Sequence, residues 1–113
     1  MRRFLLLFLL SSSLFAQHSN TLTWAWSQGT GDPATGFHVQ RAAVSGGPYT
    51  TIATLSGTTV KTYVDTAVVP GQTNYYVVTA FNPGGDSVPS NQVTCTTPFQ
   101  APQTPTGLSG TVN

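Results

Sequence analysis

Apolar and polar residues alternate in this chain over runs of only a few residues, and glycine or proline cuts off each run. That pattern narrows the available folds more than any other feature. A period of two places alternate side chains on opposite faces of an extended strand, and short runs ended by turn formers leave no length for a helix. Leu22, Trp24 and Trp26 alternate with Thr23, Ala25 and Ser27, and the loop Gln28-Gly29-Thr30-Gly31-Asp32-Pro33 follows. Phe37 and Val39 alternate with His38 and Gln40 in a second strand, and Ser45-Gly46-Gly47-Pro48 turns the chain into a third over residues 49–54. A fourth run spans 59–65, with no inward face assignable from alternation. After Val69-Pro70-Gly71, residues 75–81 are apolar on both parities, as expected of a central strand covered on one face and partly shielded on the other. Asn82-Pro83-Gly84-Gly85-Asp86 reads as a hairpin-like loop, and Val93 and Cys95 share a face in the last run. Six short strands with turn signals between them predict an all-β fold, an antiparallel β-sandwich. Trp24, Phe37, Val39, Tyr76, Val78 and Val93 are its expected core.

The N-terminus has a different character. Met1-Arg2-Arg3 is basic, residues 4–10 are an unbroken apolar run, and Ser11-Ser12-Ser13-Leu14-Phe15-Ala16 leads to polar Gln17. This is the order of a secretory signal peptide over 1–16, with cleavage expected between Ala16 and Gln17. The apolar run is shorter than the roughly 20 residues needed to span a bilayer core. The expectation is an exported chain, extracellular or periplasmic, with no membrane attachment once the leader is removed. Removal leaves Arg41 and Lys61 against Asp32, Asp65 and Asp86, a net charge of −1. Such a neutral body has no electrostatic footprint for nucleic acid, which excludes that class of partner. The single cysteine, Cys95, excludes an internal disulfide. It is expected as a small buried hydrophobe, with an intermolecular disulfide as the alternative.

Over about residues 21–98 the order and spacing of motifs resemble a fibronectin type III module, of the type found in secreted bacterial proteins. The resemblance rests on Leu22-Thr23-Trp24, Gly36-Phe37-His38-Val39-Gln40-Arg41, Val68-Val69-Pro70-Gly71, Tyr76-Val77-Val78-Thr79-Ala80-Phe81-Asn82, and the run of Gly85, Ser87, Pro89 and Ser90-Asn91. It implies an antiparallel immunoglobulin-like β-sandwich and a non-catalytic spacer or extracellular adhesion unit whose partners are proteins or glycans at the cell surface. Three features depart from the family pattern. Asn74 stands where the family places a tyrosine that ties the Pro-Gly turn to the sheet; Tyr75 faces the wrong way to replace it, so a weaker corner is expected. Gly84-Gly85-Asp86-Ser87 lacks the arginine of an integrin-binding tripeptide, so that activity is not implied. The first family strand is missing or very short, whereas the Pro/Thr-rich linker over 99–113 resembles, from Ala101 to Val112, the opening of a second module.

This last departure raises an alternative function. An absent first strand leaves the edge of the Leu22–Ser27 run unpaired, and the tail carries a strand with Leu108 and Val112 to fill the gap. Donation of that strand to the next molecule predicts head-to-tail self-association.

No arrangement of residues argues for catalysis. There is no glutamate, and the three aspartates are far apart in sequence and sit in or beside turns, where capping is their expected role. His18 with His38 resembles a copper-chelating pair only if processing leaves His18 N-terminal, so both are read as structural and no cofactor or metal is expected. The candidate binding face is the sheet surface opposite Phe37, Val39, Tyr76 and Val78: His38, Gln40, Tyr75, Val77 and Thr79, with Thr94 and Thr96 alongside. Trp26 is a further candidate contact residue.

Overall fold

The computed structural model describes residues 18–113. The expected leader and its cleavage point at Ala16 and Gln17 lie outside the described residues. Among the described residues seven strands follow one another with no helix: β1 (Asn20–Thr23), β2 (Gly36–Ala42), β3 (Thr50–Ser56), β4 (Thr62–Asp65), β5 (Thr73–Asn82), β6 (Gly85–Asp86) and β7 (Val93–Thr96). They form two sheets in which every pairing is antiparallel. One sheet is the pair β1–β4. In the other, β3, β2 and β5 lie side by side, and β6 and β7 share the far edge of β5.

Two of the expected runs are shorter in the fold. The 59–65 run becomes Thr62–Asp65, and β1 ends at Thr23 rather than continuing through Trp26. The reason is common to both. The bond from Trp24 N to Lys61 O (3.0 Å) is the last between these segments, after which the chain from Trp24 has no neighbour to pair with. Conversely, Gly85–Asp86 belongs to a strand. The Asn82-Pro83-Gly84-Gly85 turn closes a hairpin that pairs Phe81 with Asp86 and Asn82 with Gly85.

The core follows from the register. Phe37, Val39 and Arg41 of β2 sit opposite Ala80, Val78 and Tyr76 of β5, so these side chains share the inner face. Leu22, Val39 and Tyr76 form the buried centre, packed against Trp24, Ile52, Ala53, Leu55, Tyr63, Val78 and Cys95. A register shift between Val39 and Gln40 leaves Ile52 as the extra residue of a β-bulge, and both Ile52 and Ala53 reach the core. Trp24 and Trp26 meet the buried Phe37 ring edge-on, at 5.5 and 5.8 Å between centroids. These are favourable aromatic geometries. Val93, expected in the core, is instead 40% exposed. It faces inward from β7, but no strand among the described residues covers that side of the sandwich.

Gly36 opens β2 because nothing larger fits. A Cβ there would run into the Leu55 carbonyl oxygen and touch the Phe81 ring. Gly36→Ala is therefore expected to force β2 and β3 apart, lowering stability by about 1–3 kcal/mol, the usual range for overpacking. Urea unfolding followed by tryptophan fluorescence measures this, with Gly31→Ala as the control because Gly31 has open space around it.

Candidate interaction face

β2, β5 and β7 position the candidate face. Cross-strand pairing places His38 beside Thr79, Gln40 beside Val77, and Tyr75 between Ala42 and Thr94, with Thr73 beside Thr96. His38, Gln40, Tyr75, Val77, Thr79, Thr94 and Thr96 therefore share the outer surface of the larger sheet. Two of them are not available to a partner. Val77 and Thr79 are each only 4% exposed. They lie on the central strand, where side chains from both flanking strands close over them; alternation assigns a residue to a face but not its cover. His38, Gln40 and Tyr75 are half-buried, and Thr94 and Thr96 are open to solvent.

The β5–β6 hairpin folds one polar cluster onto this face. The Asp86 carboxylate pairs with His38 Nδ1 at 2.9 Å and accepts a hydrogen bond from the Thr79 hydroxyl at 2.7 Å, both at the same oxygen, Oδ2. The His38 ring stacks on Phe81 with centroids 4.2 Å apart. The His38 pairing, and then the Thr79 bond, hold the Asp86 carboxyl below the usual carboxylate range. A histidine, a carboxylate and a hydroxyl thus meet, but in the wrong order for nucleophilic catalysis. Activation requires the imidazole to lie between hydroxyl and carboxylate, whereas here the carboxylate lies between the other two. The cluster pins the hairpin. Among the described residues no three His, Cys, Asp or Glu side chains converge to hold a metal.

A second polar cluster crosses the sandwich. Asp65, 2% exposed, takes hydrogen bonds at Oδ2 from the Tyr76 hydroxyl (2.6 Å) and Arg41 Nη1 (2.8 Å), and at Oδ1 from Ala67 N (3.1 Å). Asn20 Nδ2 donates to the Tyr76 hydroxyl (2.9 Å). Turn capping, expected of Asp65, accounts only for the Ala67 bond. Burial pushes the Asp65 carboxyl up, but the bonds from Tyr76, Arg41 and Ala67 together outweigh it and hold the group below its ordinary value. Burial, followed by the bond to Asp65, pushes the Tyr76 hydroxyl up to about 12. The family's tyrosine position is filled by buried Asn74, whose side-chain amide donates to Gln72 Oε1 in the adjoining turn (3.4 Å). The tie between sheets passes through Tyr76, two residues on. Asp65 and Arg41 left no signal in the alternation that would have paired them.

Two grooves remain. One, of about 370 Å³, has Trp26, Gln28, Asp32, Asn82 and Asp86 among its walls. Its polar groups are largely engaged in loop contacts, such as the bond from Gln28 Nε2 to Gly31 O. The other, of about 570 Å³, runs between β1 and β7 along Leu22, Trp24, Tyr76, Val78, Val93 and Cys95. Cys95 is a free, half-buried thiol there.

A two-stranded and a five-stranded antiparallel sheet packed over an aromatic core define an immunoglobulin-like β-sandwich. The same architecture occurs in a Fn3-like protein from Clostridium thermocellum, 39% identical, with 67% of this chain and 73% of that one aligned at a TM-score of 0.57. The chain belongs to the fibronectin type III family. More distant domains share its fold: the sixth fibronectin type III domain of human fibronectin type III domain containing protein 3 (20% identity, 79% and 80% of the two chains, TM-score 0.62) and the twitchin kinase region of C. elegans (16% identity, 74% and 14%, TM-score 0.61). No family profile matches the sequence, and neither does any curated protein.

The Asp65 network generates a signed pH prediction. A carboxyl held below its unfolded value stabilises the fold above the ordinary carboxylate range, and that stability is lost as pH falls through the folded-state value. Urea midpoints are expected to drop on acidification below about pH 4, and Asp65→Asn is expected to flatten the drop, leaving the part due to Asp86. At neutral pH the same substitution is expected to cost about 3 kcal/mol. That is the lower end for breaking a buried pair, because Arg41 keeps 28% exposure.

Proposed function

We propose that this chain is an exported, non-catalytic fibronectin type III module serving as a spacer or extracellular interaction unit. The observation that carries this reading is the use made of its ionisable groups. Asp65 and Asp86 are each committed to strand-to-strand ties with Arg41 and His38 as their partners, and the one thiol that lines a groove, Cys95, has no histidine or carboxylate among that groove's other walls. A module of this kind offers a shaped surface rather than chemistry. The near-neutral body and the leader-like N-terminus support export, to the periplasm or beyond the cell, with no membrane attachment afterwards. The partner that fits is a protein or glycan at the cell surface, met by the accessible part of the outer face at Gln40, Tyr75, Thr94 and Thr96. Tyr75 supplies a flat apolar surface there, and the threonines and Gln40 supply neutral hydrogen-bonding groups suited to an uncharged partner.

Expression in a bacterium, followed by cell fractionation and N-terminal sequencing, tests the export step. Gln17 is expected as the first residue of material recovered outside the cytoplasm. A product retained in the cytoplasm with Met1 in place would overturn the reading.

A further inference from the structure

The groove between β1 and β7 has the form of a strand-shaped vacancy. β1 is bonded to β4 along one edge, and among the described residues nothing pairs with its other edge. An open edge of this kind is a template for another strand. The groove beside it is lined by uncharged residues, among them Leu22, Trp24, Val78, Val93 and Cys95. Trp24, one of its walls, keeps its Nε1 group buried without a hydrogen-bond partner. A buried, unpaired donor is costly, and groups of this kind are normally satisfied. Val93 is the inward-facing residue that the missing cover leaves 40% exposed.

The chain also carries a segment that suits this vacancy. After Thr97, which is held by bonds to Gly71 and Gln72, residues 98–113 form no strand and are exposed, with the Phe99 ring lying back against Gly71. Leu108 and Val112, each 97% exposed, are four residues apart and so lie on one face of an extended strand. Gly110 falls between them on that face and leaves space for the Trp24 indole. Residues 99–113 carry no charge, and neither does the groove. Pro105 has no N–H to give, so pairing can begin only after it.

We propose that residues 106–112 of one copy pair antiparallel to β1 of a second copy, with Leu108 and Val112 in the β1–β7 groove. The poles of the module decide the donor. β1 begins at Asn20, beside Tyr76, and ends near Trp24, which packs on Phe37 opposite Ala80. β7 ends at Thr96 opposite Thr73, so the tail departs from the pole where β1 begins. An antiparallel partner must enter at the other pole. A second copy stacked pole to pole delivers its tail there directly. Each such contact leaves one tail and one groove free, so the association is head-to-tail and open-ended. This inference deepens the interaction-unit reading by naming its partner as the chain itself.

Sedimentation velocity on the purified protein over a wide concentration range tests it, in reductant so that Cys95 cannot link copies. The expected result is a ladder of oligomers that grows with concentration. Leu108→Asp with Val112→Asp is expected to weaken association at least ~10-fold, the loss expected when two apolar contacts are replaced by unpaired charges. Both positions lie outside the sandwich, and an unchanged thermal midpoint for dilute protein checks that the fold is intact. A synthetic peptide of residues 101–113 is expected to cap the ladder and, in Trp26→Phe protein, to shift the Trp24 emission to shorter wavelength. A monomer at every concentration overturns the proposal, as does association unaffected by the double substitution. Neither outcome bears on export, which is read from the N-terminus.

Discussion

Everything in this sandwich is arranged around a carboxylate that has been taken out of water. Asp65 ends β4 in the smaller sheet, and its partners Arg41 and Tyr76 come from β2 and β5 of the larger one. An unpaired buried charge would cost more than the small core can supply, so the position is tenable only when both donors are in place. That requirement sets the distance between the sheets and the register of Arg41 opposite Tyr76. Asn20 extends the network into β1 through the Tyr76 hydroxyl, so one cluster joins four strands. With Phe37, Val39 and Tyr76 the only large apolar side chains fully buried among the described residues, apolar packing alone would define the sandwich less sharply.

The same device is used at the hairpin, with a different balance. Asp86 also draws a cation-capable group and a hydroxyl onto one oxygen, but at a part-exposed site where water screens the pairing. Its role is geometric. It lays β6 against β5, covers Thr79, and stacks His38 against Phe81, which fixes the relief of the outer face. What remains open on that face is neutral and threonine-rich, suited to modest contacts with uncharged partners rather than to electrostatic capture.

The β1–β7 side is where the fold is least complete. Strand pairing and core cover both stop there, at Trp24 and Val93. The two roles open to such a module, spacer and assembling unit, then differ in a single respect, namely what lies in that groove. In the proposed assembly a neighbouring copy's tail would complete the sandwich without any new chemistry, through main-chain bonds and two apolar side chains.

Much of this was legible in the residues. Alternation with glycine and proline breaks determined the all-β class and the inner face at Phe37 and Val39, because a period of two is a local property. The family was legible as well, through motif spacing. The ends of strands were not, since β1 stops where its partner does and not where Trp24 and Trp26 cease to alternate. Nor was burial on the outer face, where Val77 and Thr79 look as open as Thr94 but lie on the central strand. The Asp65 cluster was invisible for a related reason. Its members are 11 to 56 positions apart, and only the packing of one sheet on the other gives a carboxylate its donors and a tryptophan N–H its lack of one. Sequence determines which face a side chain takes; what stands opposite that face is decided by tertiary structure, because cover and pairing are properties of two strands at once.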